Sequence, residues 1–340
     1  VNDLKCIGFL ILSDIIRKDA KETLDYFRKQ DVQIKIISGD DPSTVSAIAR
    51  RCHLLNYEHY IDVSSLSDEQ IKEAIEKYTI FGRVSPKQKQ LMVNALQENN
   101  HTVAMTGDGV NDVLALKAAD CSIAMASGSD AAKSASHIVL LKNNFNAMPH
   151  IVNEGRRVIN NITASASMYL IKTIFSVVLS IGMILFGHGY PFKPIQLTVI
   201  SACCVGIPTF FLTYEPNFKR VSGDFLKTVF KNAFPFAFMI AICSTIIVNG
   251  GRVLGLEKEM LSTICVLLTS WCYYSGLRHI YSPLSHYRSF VIHVMQIVLY
   301  ISLIVGHQFL GLGNIDYIGA ITLMFLVTFS KIIYLLNFEL

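Results

Sequence analysis

Thr106-Gly-Asp-Gly-Val-Asn-Asp112 is the run of this sequence richest in chemistry. It sets a hydroxyl, two glycines and two carboxylates four residues apart behind a short apolar stretch. With Asp108 in a loop and Asp112 in the first turn of a following helix, that spacing lets both carboxylates face one point. Mg²⁺ takes hard oxygen ligands, commonly one or two carboxylates with water and a substrate phosphate. Asp108 and Asp112 are therefore candidate Mg²⁺ ligands, and Gly107 and Gly109 permit the tight backbone such a loop needs. A turn followed by a helix N-cap would account for one Asp. It does not account for the whole string.

Two further runs offer phosphate contacts. Ser38-Gly39-Asp40 follows another apolar stretch and precedes a helix starting beyond Pro42. Hydroxyl and backbone N–H groups at such a place suit a phosphate, although Gly-Asp-Asp-Pro is also an ordinary turn. Lys89 lies in the first turn of a helix opened by Pro86, a favoured first helical residue. From there its ammonium can reach over the sheet edge to a phosphate as a point charge. In isolation it would read as part of a solvated basic face.

These residues need a scaffold. Up to about residue 150, short apolar runs predict strands at Cys6–Leu12, Gln33–Ile37, Thr102–Met105, Cys121–Met125 and Ile138–Leu141. Helical patterns fall between them, near 19–30, 43–53, 68–77, 86–98 and 111–118. The alternation predicts an α/β, Rossmann-type parallel sheet covered on both faces. Ligands collect beyond the carboxyl ends of strands in such folds. Ser13-Asp14, Ser38 to Asp40 and Thr106 to Asp108 occupy those positions.

The remainder of the chain has a different character. Of 340 residues, 51% are hydrophobic and 16% charged, against roughly 25% charged in soluble proteins. Residues 1–160 carry 19 Lys/Arg and 20 Asp/Glu, whereas residues 161–340 carry 11 and 6. This excludes a single soluble enzyme, a disordered chain and a secreted disulfide scaffold. Six long apolar segments, near 164–186, 194–214, 232–249, 260–280, 290–306 and 317–338, predict an all-α six-helix transmembrane bundle. An even count returns the C-terminus to the side of the first domain. Lys219, Arg220, Lys227, Lys231, Arg278 and Arg288 fall on that side, which the positive-inside rule assigns to the cytoplasm. The net charge of +4 then reads as membrane topology, and no nucleic-acid partner is expected. Five of the eight Cys lie in apolar runs, without CxxC spacing, which fits lipid-buried thiols.

Taken together, TGDGVND at 106–112, SGD at 38–40 and GRVSPKQK at 82–89 resemble the phosphorylation domain of P-type ATPases. These are cation pumps of the haloacid dehalogenase superfamily. The runs 125–136, 139–145 and 154–161 are similar to the stretch before that family's fifth membrane helix. Val205-Gly-Ile-Pro-Thr-Phe-Phe-Leu212 and the short C-terminus look like a bacterial type-E or calcium-type subgroup. The resemblance covers essentially the whole chain. It implies a C-terminal portion of the phosphorylation domain at 1–153, a stalk helix at 154–163 and family helices 5–10 at 164–340. It places the protein in the plasma membrane, with the phosphorylation domain and the C-terminus cytoplasmic. It implies ATP and Mg²⁺, the ion at Asp108 and Asp112, and catalytic roles for Lys89, Asp108 and Asp112. Ser38, Gly39, Asp40, Lys89 and Asn111 would serve the nucleotide or phosphoryl group. Asp14 and Arg17 match the family's hinge motif only at its ends, because Ile15-Ile16 replaces the prolines.

The family's nucleophile is the Asp of DKTGT, and no Asp-Lys-Thr occurs in these 340 residues. The chain is expected to be the C-terminal part of a pump and inactive as an ATPase alone. Its partners would be the N-terminal part, a lipid bilayer and a transported cation, Ca²⁺ among the candidates. Positions where calcium pumps carry Asn, Glu, Thr and Asp in helices 5 and 6 hold Ile174, Val177, Ser201, Cys204 and Val205 here. The cation would then meet neutral groups: Ser176, Ser180, Thr198, Ser201 and Cys204, which recur near i, i+3, i+4. Such hydroxyls are also common in the packing of membrane bundles. Lys172, inside the first span, reads as a counter-charge or as a side chain that snorkels to the interface. A lipid-translocating pump, a membrane-tethered phosphatase and a non-catalytic remnant of a pump stay open as alternatives.

Overall fold

The computed structural model describes residues 16, 20–141, 144–221, 223–315 and 317–338. The strand expected at Cys6–Leu12 and the residues Asp14 and Arg17 lie outside them. The chain divides into two compact units, Val1–Val152 and Asn153–Leu340.

In the first unit, helices and strands alternate as the sequence predicts. α1 (Ala20–Lys29), β1 (Ile36–Ile37), α2 (Pro42–Arg51), β2 (Tyr60–Asp62), α3 (Asp68–Lys77), β3 (Ile80–Gly82) and α4 (Pro86–Glu98) come first. β4 (Ala104–Gly107), a 3₁₀ turn at Val110–Asp112, α5 (Val113–Ala118), β5 (Cys121–Met125), α6 (Asp130–Ala135) and β6 (Ile138–Leu140) follow. All pairing among the described residues is parallel, in two sets of three strands ordered β1-β3-β2 and β4-β5-β6. The sequence reading missed β2, β3 and α6. β3 nonetheless forms the middle of its sheet, with Ile80 and Phe81 fully buried. Three-residue strands are too short to display an alternating pattern, so only their neighbours reveal them.

Local signals fix the helix starts. Ser67 and Ser85 each accept the N–H of a Gln three residues on, and Gln70 and Gln88 each accept the cap N–H in return. Each reciprocal pair satisfies two donors a helix start would leave unpaired. Ile71 and Ile75, one turn apart on α3, bury one face against Phe81 and Met92.

The second unit is helical. α7 (Ala147–Leu185) begins in the last residues of the first unit, seven residues before Glu154, and runs unbroken for 39 residues. The expected stalk and first span are thus one helix. α8 (Pro194–Ile200), a π-helical stretch at Ser201–Gly206 and α9 (Ile207–Leu212) make up the next segment. α10 (Phe225–Val253), α11 (Lys258–Ile280), α12 (His286–Val305), the short α13 (His307–Leu310) and α14 (Tyr317–Phe338) complete the unit. Among the described residues five segments are long and apolar enough to cross a bilayer: α7, α8 through α9, α10, α11 and α12. The sixth expected segment is helical as α14, whose 22 residues extend about 33 Å at 1.5 Å per residue.

α11 is the axis of this unit. Buried residues make up 83% of its apolar stretch, against 28% for α7. α7 turns one face inward, with Ile171, Phe175 and Leu179 fully buried at four-residue intervals, while Tyr169, Val177 and Ile181 are exposed. The five cysteines of the apolar runs are buried free thiols.

Candidate functional site

β4 runs two residues further than the sequence suggests, to Gly107, and so delivers the backbone straight into the acidic loop. Asp112, in the 3₁₀ turn, is 8% exposed. Its Oδ1 accepts a hydrogen bond from the Lys89 ammonium at 2.6 Å, and its Oδ2 accepts the Gly109 N–H at 3.2 Å. Lys89 comes from the first turn of α4, so this ion pair ties two helix starts together. Both side chains are 11% exposed. A Cβ on Gly107 would stand 2.6 Å from the Asp112 Cβ. Only glycine leaves room for the carboxylate to tuck under the strand end.

The Asp108 side is held by its backbone. Its carbonyl accepts the Ser129 N–H at 2.8 Å, and a Cβ on Gly128 would meet the same oxygen at 2.8 Å. Gly128 and Ser129 were not singled out from the sequence as site residues. The signal was there, in the 125–136 run beside the acidic motif, but its contact is made by backbone atoms and no residue type advertises it. The Asp108 carboxylate is exposed and has no partner among the described residues. Asn111 is also exposed.

This donor set fits Mg²⁺. One exposed carboxylate is open to a cation, and a second lies four residues on with lone pairs to spare beyond Lys89 and Gly109. Among the described residues no group of three or more His, Cys, Asp or Glu converges. An ion here would therefore complete its shell with water and substrate oxygens, the usual habit of Mg²⁺.

Ser38, Gly39 and Asp40 follow β1 directly. The Ser38 hydroxyl donates to Asp40 Oδ2 and accepts the Asp40 N–H, both at 3.1 Å. This turn docks on the next motif through its backbone: Val84 N–H donates to the Ser38 carbonyl and Arg83 N–H to the Asp40 carbonyl. Ser85, next in sequence, caps the helix whose first turn carries Lys89. Thus Ser38, Lys89 and Asp112 are joined by a continuous chain of contacts. Arg83 adds a feature the sequence reading passed over. It has a positive φ of 55° and bridges Asp41 at 3.0 Å and Asp62 at 3.4 Å. Hydrogen bonds from Ser43 and Ser64 hold those two carboxyls below their ordinary range, with the guanidinium adding to the effect.

In the helical unit the five candidate cation groups separate. Lys172 on α7 donates to the Ser201 hydroxyl at 2.9 Å, and that hydroxyl donates to the Leu197 carbonyl. Cys204 is fully buried on the same π-helical stretch. Ser176 and Ser180 are both half-buried on α7. Thr198 does not face inward as the spacing suggested. It is exposed and its hydroxyl is returned to the Pro194 carbonyl. The expectation assumed one continuous α-helix. The π-helical stretch adds a residue per turn and so breaks the register between Thr198 and Cys204.

Comparison with known proteins bears on this arrangement. Residues 2–120 match the haloacid dehalogenase-like hydrolase family. The chain is 44% identical over 275 residues to the probable cation-transporting ATPase exp7 of Streptococcus pneumoniae, covering 78% of this chain and 35% of that protein. The chain is a homologue of the cation-transporting P-type ATPases. Calcium-transporting ATPase CtpE of Mycobacterium tuberculosis is 40% identical over 281 residues, covering 77% of this chain and 35% of that protein. A calcium-transporting ATPase of Bacillus subtilis is 32% identical over 230 residues, with 66% and 25% covered. The chain spans about a third of the length of the first two of these P-type ATPases. Its first unit is accordingly a haloacid dehalogenase-like parallel-sheet domain, and its second a helical, multi-pass membrane region.

Proposed function

We propose that the chain supplies the metal-binding part of the phosphorylation domain, and the C-terminal membrane helices, of an ATP-driven cation pump. The observation that carries this reading is the buried Lys89–Asp112 pair beside the open carboxylate of Asp108. Asp108 directly, and Asp112 through its remaining lone pairs, would hold Mg²⁺. The bound ion would neutralise charge on the phosphoryl oxygens. Lys89 holds Asp112 in place and keeps a positive charge at the strand end. The Ser38 hydroxyl, now turned to Asp40, is positioned to donate to a phosphoryl oxygen instead. No Asp-Lys-Thr lies in the 340 residues, so the carboxylate that accepts the phosphoryl group comes from polypeptide outside them. The Lys- and Arg-rich loops favour a cytoplasmic side for the first unit and the C-terminus, and a plasma membrane is the site we propose.

Ca²⁺ is the cation to test first, because two of the relatives above are named for calcium transport. Ser201 and Cys204 are its foremost candidate contacts. Neutral ligands offset less charge than carboxylates, so one cation per cycle is expected.

The decisive experiment uses the full-length protein in membranes. Asp108→Asn and Asp112→Asn should each abolish formation of the phosphoenzyme from ATP, and vesicles holding the unaltered protein should accumulate Ca²⁺ on ATP addition. Normal phosphoenzyme in either variant at low Mg²⁺ would remove the proposed metal site. Phosphoenzyme formation that ignores every cation tested would favour a lipid-translocating pump.

A further inference from the structure

One end of the helical unit holds a cavity of about 410 Å³. It is the end at which α7 and α10 stop and α8 and α11 begin. The volume is that of a small-molecule site.

Three cations from three separate stretches of chain line this cavity. Lys193 precedes α8, Arg252 lies in the last turn of α10, and Lys258 is the first residue of α11. Glu259 is the single carboxylate among the lining residues. None of the three cations is paired with a carboxylate among the described residues. Lys193 donates to the Gly311 carbonyl at 3.3 Å and Arg252 to Nδ1 of His188 at 2.6 Å.

The Arg252 contact is built from behind. Asn249 donates its amide N–H to the Thr245 carbonyl at 2.8 Å, which leaves its Oδ1 as an acceptor for His188 Nε2 at 2.9 Å. His188 therefore carries its proton on Nε2 and presents Nδ1 as an acceptor, and a guanidinium can only donate. One N–H of Arg252 is spent in this way. Its other four make no hydrogen bond among the described residues.

Like charges gathered around one cavity repel. The three cations are exposed at its mouth, while its walls carry apolar groups: Phe192 and Leu261 are buried and Tyr190 adds a ring with a polar tip. A cation on its way through the membrane would be repelled here, whereas an anion would bind to donors already in place. Arg and Lys donors beside apolar walls, at the level where membrane helices end, match a phosphate group on an amphiphile.

We propose that this cavity binds a phosphate-bearing anion, either the headgroup of an anionic phospholipid or a soluble phosphate ester. The site is separate from the phosphoryl-transfer loop and stands without the reading given for it. The test uses the full chain, purified in a mild detergent. In one arm native mass spectrometry counts retained phosphatidylglycerol, with phosphatidylcholine as the neutral comparison. In the other arm glycerol 3-phosphate is titrated while thermal unfolding is followed. The Arg252→Gln/Lys258→Gln pair is compared with Lys227→Gln/Lys231→Gln, which removes two charges from the opposite end of α10. We expect the first pair to lose at least tenfold in affinity for whichever probe binds, and the second pair to match the unaltered chain. Binding of phosphatidylglycerol identifies the lipid source, and binding of glycerol 3-phosphate the soluble one. Equal binding by both variant pairs, or no selective binding of either probe, overturns the proposal. Should the double variant fail to fold, Lys258→Gln alone, at an exposed helix start, carries the same expectation at a several-fold loss.

Discussion

Tyr274 of α11 donates its hydroxyl to the carbonyl of Cys203 at 3.2 Å, and Cys203 lies five residues before Pro208. The π-helical stretch runs in i→i−5 register, as the Ile207 N–H bonded to the Ala202 carbonyl shows. The next bond in that series would run from residue 208 to Cys203, and proline has no N–H to give. Tyr274 thus replaces a backbone donor in the buried heart of the bundle, where an unpaired carbonyl has no water to turn to.

This relationship predicts a coupling. Tyr274→Phe leaves the Cys203 carbonyl unpaired and should destabilise the helical unit by about 1–3 kcal/mol. Pro208→Ala restores a backbone donor at the same oxygen. In thermal unfolding of the detergent-solubilised chain, Tyr274→Phe should therefore cost much less in the Pro208→Ala background than in the natural one. Simple additivity of the two changes would show that Tyr274 is not the substitute donor.

Lys89 should behave as a structural partner before it is a phosphate contact. Lys89→Met strands the Asp112 carboxylate in a site where both side chains are 11% exposed. Breaking a buried pair from one side costs about 3–5 kcal/mol. Adding Asp112→Asn removes the stranded charge and should recover most of the stability measured by denaturant unfolding, without recovering phosphoenzyme in the full-length protein. A Lys89→Met chain as stable as the natural one would mean the pair is not formed in solution.

Lys172 predicts an effect on the cation. Its ammonium sits 2.9 Å from the Ser201 hydroxyl, and two positive charges about 4 Å apart repel by about 4 kcal/mol at an effective dielectric of 20. Even a third of that corresponds to a tenfold change in affinity. If the full-length protein is the pump proposed above, Lys172→Met should lower the Ca²⁺ concentration for half-maximal phosphorylation by at least about tenfold. An unchanged concentration would move the cation site away from Ser201.

Acid should loosen the strand that leads into the acidic loop. Asp120 accepts the Val103 N–H at 2.8 Å, and this bond, with help from Gln97, holds its carboxyl below the ordinary value. A folded pKa below the unfolded one gives stability that is complete above the unfolded value, near 3.9, and is lost as pH falls through the lower folded value. Asp120→Asn keeps an acceptor but no titrating group. The difference in stability between the natural chain and this variant should shrink between pH 5 and pH 2, as followed by circular dichroism. A constant difference would remove Asp120 from the acid response.

The parts of this protein written in long or chemically distinctive stretches were legible in the sequence. α4 was expected at 86–98 and spans Pro86–Glu98, because Ser85, Pro86 and Gln88 mark its start with three independent signals. The carboxylate spacing of Asp108 and Asp112 was equally plain. Their division of labour was not: Lys89 takes up Asp112 while Asp108 stays open, a difference that only the fold's bringing α4 against the 3₁₀ turn can produce. β3 was invisible because three residues carry no period, although it is the centre of its sheet. Thr198 is exposed on α8 while Cys204 is buried, and nothing in residues 201–206 announces that the helix widens between them. Pro208 gave a partial hint, and Tyr274, the residue that makes the widening tolerable, is 71 positions away from the carbonyl it serves.

The widened stretch at Ser201–Gly206 has a mechanical corollary. A π-helical turn holds one residue more than an α-helical turn, so tightening it to α geometry releases that residue into the helix axis. The segment on one side would advance by about 1.5 Å and swing by about 100° relative to the other. Ser201, at the threshold of the stretch, would then be carried round with respect to Cys204, and the hydroxyl that Lys172 now occupies would exchange its neighbours. The segment is a screw with one thread to spare, and a turn of it would trade the contacts of one side of the stretch for new ones.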